Sequence, residues 1–260
     1  MRHRKTTLTL LLAALPLAAA GARADGGAES WTGPYAGIAA GPQFDQSTWT
    51  ATSVGPGNVY GIDPSDSRQR FNDGHGRAGG FVGWSIQPLP DQAPDLLAGI
   101  EADIFGIIGG QTSRPGLPGV AYNGLTPTDT LSQTQSYDAS VRARAGSRVT
   151  PEVLLYGTAG VAFRDLDIKG NCPASGPSPC CGVSESESQS KTLVGWTAGI
   201  GAETVLTGRF TIRAEYRYAD YGTITATLFA AANQGADQFS GKTDLSSHII
   251  TLGIAYHFGM

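Results

Sequence analysis

Eight charged residues recur at alternate positions within otherwise apolar stretches: Glu101, Asp103, Arg142, Arg144, Glu203, Arg213, Glu215 and Arg217. Four are acids and four are bases. A spacing of two places neighbours on one face of an extended strand. If that face is turned inward, each charge needs a partner of opposite sign or a hydrogen bond. The chemistry implied is mutual neutralisation in a confined interior rather than turnover. Glu101 and Asp103 lie on one segment and Arg142 and Arg144 on the next, so cross-strand pairing among these four is the natural expectation.

Other residues with chemical potential are few. After His3 there are three histidines, His75, His248 and His257. His75 stands between glycines and reads as a loop residue, and His257 falls at a strand end. His248 follows Ser246 and Ser247, and a Ser–His pair near a membrane surface could host acyl transfer. Such a reaction also needs an orienting acid and an oxyanion site, and nothing in the sequence fixes either. No catalytic, cofactor or metal residue is therefore assigned. The three cysteines, Cys172, Cys180 and Cys181, fall within one Pro/Gly/Ser-rich stretch. In an exported protein this favours a loop disulfide of Cys172 with either Cys180 or Cys181, since adjacent cysteines bridge each other only with strain.

The elements that must position these residues are strands. Apolar and polar residues alternate in Leu96 to Ile104, Ala139 to Gly146, Val194 to Ala202, Phe210 to Tyr218 and His248 to Phe258. Pro34 to Phe44, Arg77 to Ile86 and Val153 to Arg164 follow the same pattern more weakly. The connectors between the eight segments alternate in length. Asp45 to Gly76, Ile107 to Tyr137, Asp165 to Ser190 and Gly222 to Ser246 are long, whereas Gln87 to Asp95, Ser147 to Glu152 and Leu206 to Arg209 are short. Short periplasmic turns opposite long extracellular loops are a mark of outer-membrane barrels.

The first residues read as a secretory signal: Met1 to Lys5 is basic, Leu8 to Ala20 apolar, and Ala22-Arg23-Ala24 a small-residue cleavage site. Residues 1–24 are expected to be removed, leaving 25–260 as one outer-membrane β-barrel domain. No stretch after Ala24 approaches the length of a transmembrane helix, so a membrane could be entered only as a closed barrel. A net charge of −4 without a basic block gives no reason to expect nucleic-acid binding. With 36 glycines and 15 prolines, the chain is rich in turn formers. At 40% hydrophobic content it is too apolar to be wholly disordered.

Four segments carry a family resemblance: Trp31-Thr32-Gly33-Pro34-Tyr35-Ala36-Gly37, Leu155 to Phe163, Gly195-Trp196-Thr197-Ala198-Gly199, and Ala214-Glu215-Tyr216-Arg217-Tyr218 through Gly222. The chain resembles the small porin-family surface antigens called outer membrane immunogenic proteins, over nearly its whole mature length. The resemblance implies an OmpA-like, all-β fold: an eight-stranded antiparallel up-and-down transmembrane barrel in the outer membrane of a Gram-negative bacterium. It also implies surface loops and no catalytic residues. Such barrels commonly end on Phe, whereas here Phe258 is followed by Gly259 and Met260, which bears on recognition by the barrel assembly machinery. The other partners expected are outer-membrane lipids, lipopolysaccharide among them, and the protein is expected to be monomeric.

Aromatic residues on the apolar faces should collect at the two membrane interfaces. Trp84, Phe210, Tyr256 and Phe258 are expected to form the periplasmic girdle, and Phe163, Trp196 and Tyr218 the outer one. Three functions remain in view: a structural or surface-antigen barrel, a narrow pore for passive diffusion of small solutes, and a lipid-modifying enzyme. Eight strands leave an interior just wide enough for side chains, which favours the first.

Overall fold

The computed structural model describes residues 31–65, 67–121, 127–173, 184–230 and 237–259. The expected leader and its cleavage point, Cys180, Cys181 and Met260 lie outside them. The described residues form one antiparallel sheet of ten strands. These are β1 (Gly33–Val54), β2 (Arg68–Ile86), β3 (Leu96–Ile108), β4 (Gln111–Pro115), β5 (Thr130–Thr134), β6 (Tyr137–Thr150), β7 (Val153–Cys172), β8 (Glu185–Thr207), β9 (Phe210–Leu228) and β10 (Phe239–His257). The fold is all-β and barrel-like. β1 pairs with β2 and β10, and the remaining long strands pair in the succession β2–β3, β3–β6, β6–β7, β7–β8, β8–β9 and β9–β10. The short strands add the pairs β4–β5 and β5–β7.

Ten strands replace the eight expected because two segments are broken, and the cause is local. After β3, Gly109 takes a positive φ of 76° and a Cβ on Gly110 would lie 2.1 Å from the Gln135 carbonyl oxygen, so only glycine fits both positions. Across the break, Ile107 N–H donates to Ser136 O and Gln135 N–H to Gly110 O. β4 and β5 thus extend β3 and β6.

The long connectors are also less loop-like than expected. β1, β7 and β8 run for 22, 20 and 23 residues, and β9 and β10 for 19 each. Their distal halves absorb much of the segments from Asp45, Asp165 and Gly222 onward, and β2 begins at Arg68 rather than Arg77. Ladder hydrogen bonds hold a hairpin together without an apolar outer face, so the apolar-out pattern marked only the proximal part of each hairpin.

The sense of the alternation inverts along the strands that reach the distal leaves, β1, β2, β7, β8, β9 and β10. On β10, Ile250, Leu252 and Ile254 are exposed, while on β7 Leu166 and Ile168 are buried and Asp165 and Asp167 point outward. The switch from apolar to polar on the outer face falls between Phe44 and Gln46 on β1, Tyr218 and Asp220 on β9, and His248 and Ser246 on β10. Beyond it β8 no longer pairs with β9, nor β2 with β3, and two four-stranded leaves remain, β2-β1-β10-β9 and β4-β5-β7-β8. They enclose an apolar cap: Trp49, Phe71, Leu228 and Phe239 from one leaf meet Leu131, Leu166, Ile168 and Leu193 from the other, with Leu117 from the β4–β5 connector. Side chains bridge the seams between the leaves. Lys191 and Gln189 donate to the carbonyls of Thr225 and Thr227, and Gln69 donates to the Pro115 carbonyl at 3.2 Å.

Candidate functional site

Below the cap, the inward faces are filled with charge. Arg142 on β6 stands opposite Glu101 on β3 in register. Its Nη2 lies 2.5 Å from Glu101 Oε1 and 2.8 Å from Asp103 Oδ2, and its Nη1 donates to Glu215 Oε1 at 2.7 Å. Glu101 in turn accepts from Arg213 at 2.6 Å across the interior and from the Tyr35 hydroxyl at 3.0 Å. Asp103 accepts from Arg217 at 2.8 Å and from Ser140 at 2.7 Å. All eight charged residues singled out in the sequence are buried here.

One pairing differs from expectation. Arg144 stands opposite Gly99, and its main partner is Glu203 on β8, outside the expected set of four, with Glu101 of that set at 4.0 Å. The reason is geometric: in a narrow interior a long side chain reaches past the adjacent strand to the next one as readily as to its own neighbour. Glu203 also accepts from Thr211 Oγ1 at 2.6 Å, and its Oε1 lies 2.8 Å from His257 Nε2. His257 stacks on Tyr35 with ring centroids 5.2 Å apart, and Trp31 lies edge-on to it at 5.6 Å. Trp31, Leu97, Leu154 and Tyr156 close this end.

A second charged tier lies toward the cap, and the sequence reading missed it. Arg77 holds Asp138 through two bonds of 2.8 and 3.0 Å. Arg164 bonds Asp138 at 3.0 Å and Asp45 at 2.9 Å, and Asp45 accepts from Ser247. Arg217 joins the tiers, its Nη2 3.9 Å from Asp138 Oδ1. Alternation could have found these four: Asp138 shares a face with Arg142, Arg164 with Thr158, Asp45 with Gln43, and Arg77 with Phe81. Each sits at a segment end, where the apolar face that defined the segment gives out.

The ladder contains Asp45, Glu101, Asp103, Asp138, Glu203 and Glu215 against Arg77, Arg142, Arg144, Arg164, Arg213 and Arg217, six of each sign. Aromatic rings pack against the guanidiniums: Arg213 over Phe81 at 3.5 Å, Arg144 over Tyr156 at 3.8 Å and Arg77 over Phe105 at 4.0 Å. The arrangement is neutral, cross-braced and packed. It is suited to filling an interior and fixing register, with its carboxylates committed to fixed donors rather than poised for proton transfer.

The histidines fall differently from the sequence reading. His75 is a buried β2 residue, not a loop residue; its Nδ1 lies 2.8 Å from Gly109 O and its Nε2 3.6 Å from Asp45 Oδ2. Extended backbone tolerates the flanking glycines, which face outward. Ser247 points inward to Asp45 and Arg164, whereas His248 points outward, its Nδ1 2.8 Å from the Tyr216 hydroxyl. Adjacent residues of a strand face opposite ways, so Ser247 and His248 form no dyad. Among the described residues there is no group of three or more His, Cys, Asp or Glu side chains placed to hold a metal ion.

The outward aromatic residues gather at two levels. Phe210, Tyr256 and Phe258 form one chain of contacts, with centroids 5.1 and 4.9 Å apart, at the end carrying the short turns, and Trp84 is exposed near the end of β2. Trp196 and Tyr218, 5.4 Å apart, lie at the other level with His248, and Phe163 is half-buried on β7. Cys172, the last residue of β7, is buried with Sγ 3.3 Å from Asp129 Oδ1.

Comparison with known proteins agrees with this architecture. The family model described as outer membrane protein beta-barrel domain matches residues 8–258. The chain belongs to this family. It is 29% identical to the 25 kDa outer-membrane immunogenic protein of Brucella abortus over 229 residues, covering 88% of this chain and 80% of that one. The Brucella ovis protein of the same name is 30% identical, covering 74% and 71%. Among solved structures, the outer membrane protein OprG from Pseudomonas aeruginosa superposes with a TM-score of 0.50 at 11% identity, covering 87% of this chain and 97% of OprG, which supports the shared fold. The protein is an outer-membrane β-barrel protein of a Gram-negative bacterium.

Proposed function

We propose that the eight long strands close as an up-and-down transmembrane barrel, with β4 and β5 as distal extensions and the two leaves standing outside the cell. The reading is supported by the pairing of each long strand with two others and by the outward apolar band bounded by aromatic residues. The turns of β6–β7 and β8–β9 then face the periplasm. Residues 1–24 are a signal peptide removed on export, and 25–260 form the barrel. Outer-membrane lipids surround the band, and assembly uses the barrel assembly machinery.

On this reading the barrel is a monomeric structural and surface-antigen protein that works without catalysis or cofactor. The observation that carries it is the charge ladder continued by the apolar cap: side chains occupy the interior from Trp31 at one end to Leu117 at the other. The Brucella relatives are named as immunogenic outer-membrane proteins, in keeping with an exposed outer leaf. Reconstitution in planar bilayers tests the proposal. A filled barrel gives no sustained conductance, and regular single-channel openings would favour the narrow pore instead. Heat-modifiable gel mobility and a β-rich circular dichroism spectrum test closure, and a helical spectrum would overturn it.

A further inference from the structure

The outer wall carries a groove where β1, β2, β9 and β10 leave the apolar band. Its volume is about 640 Å³, within the ~300 to 1,000 Å³ typical of small-ligand sites. A bulge shapes it. β9 places two residues, Tyr221 and Gly222, opposite the single Leu245 of β10, and Gly222 takes a positive φ of 66°.

The register arranges the outward side chains in rows. At the top of the apolar band, Phe44, His248 and Tyr218 lie side by side on β1, β10 and β9. In the next row outward, Asn72, Gln46 and Ser246 offer amides and a hydroxyl. The two carboxylates of the groove are engaged locally: Asp220 accepts from Gly222 N–H at 2.8 Å and from the Tyr218 hydroxyl, and Asp244 accepts from Thr223. Arg70 lines the groove above them, and Arg68 and Lys242 are exposed in the row beyond, each opposite Thr50.

We propose that this groove binds the sugar–phosphate headgroup of an outer-leaflet glycolipid of the lipopolysaccharide class. The inference rests on the transmembrane reading above, which places the groove at headgroup height. Aromatic residues at the foot of the groove meet the apolar part of such a molecule, amides and hydroxyls meet sugar hydroxyls, and the three cations at the rim meet phosphate. A free saccharide phosphate would have no use for the continuity of the groove with the apolar band, and a simple phospholipid would leave the polar rows unmatched.

The test is native mass spectrometry of the detergent-refolded mature protein titrated with purified deep-rough lipopolysaccharide. Phosphatidylglycerol and the deacylated saccharide phosphate of the same lipopolysaccharide are titrated in parallel. The variant is Arg70→Ala with Lys242→Ala, both at exposed positions, and Asn72→Trp, which fills the groove without changing charge, is a second variant. Lipopolysaccharide affinity should fall by about thirtyfold in the double variant, from roughly one factor of five per surface cation, and should also fall in Asn72→Trp. Equal affinity in all three proteins would overturn the proposal. So would equal preference for phosphatidylglycerol, or deacylated saccharide binding as tightly as the whole lipid. Heat-modifiable mobility measured on the same samples separates this outcome from failure of the barrel itself.

Discussion

Arg142 and Glu101 face each other across the β6–β3 ladder, and both are buried within the same ladder of charges. Arg142 is the most connected cation of the lower tier, bonded also to Asp103 and Glu215. Removing it leaves three carboxylates short of a donor. Arg142→Ala should therefore cost about 3 to 5 kcal/mol, read from urea unfolding in detergent. In a double-mutant cycle with Glu101→Ala the two changes should fall short of additivity by about 0.5 to 3 kcal/mol. Additive losses would mean that the pair is not coupled.

Arg144 gives a sharper discrimination, because its main partner, Glu203, stands on β8 rather than on the adjacent β3. Arg144→Ala should couple to Glu203→Ala and combine additively with Asp103→Ala to within about 0.5 kcal/mol. The opposite pattern would place Arg144 with the β3 carboxylates instead.

On the transmembrane reading the cap stands outside the membrane, and it should behave as a hydrophobic core. Leu166→Ala and Trp49→Ala, at fully buried positions, should each lower stability by about 2 to 5 kcal/mol and expose the distal hairpins to protease. The barrel portion should remain protected. Unchanged proteolysis would indicate that the two leaves do not pack on each other.

Cys172 is expected to form one disulfide with Cys180 or Cys181. Mass mapping of non-reduced peptides should find Cys172 in a bridged peptide, and a free Cys172 thiol would refute this.

Strand identity and inward charge were readable from sequence wherever the outer face was continuously apolar, as at Ala139, Val141 and Ala143 beside Arg142 and Arg144. Beyond Phe44, Tyr218 and His248 both faces change character at once. There the alternation of Gln46, Ser47, Thr48 and Trp49 resembles a polar loop although it is a regular strand. That inversion hid the distal leaves; Asp45, Arg77, Asp138 and Arg164, at the segment ends beside it, escaped notice although they alternate with the inward set. The cross-interior pairs, such as Arg213 with Glu101, depend on which strands stand across the interior from one another, which no local pattern encodes.

Single-channel recording of the refolded mature protein in planar bilayers tests the central claim most directly. A barrel filled by the six acid and six arginine side chains, under an apolar cap, should show a quiet baseline, with leak rising only in Arg142→Ala. Stable, regular openings in the unmutated protein would contradict it.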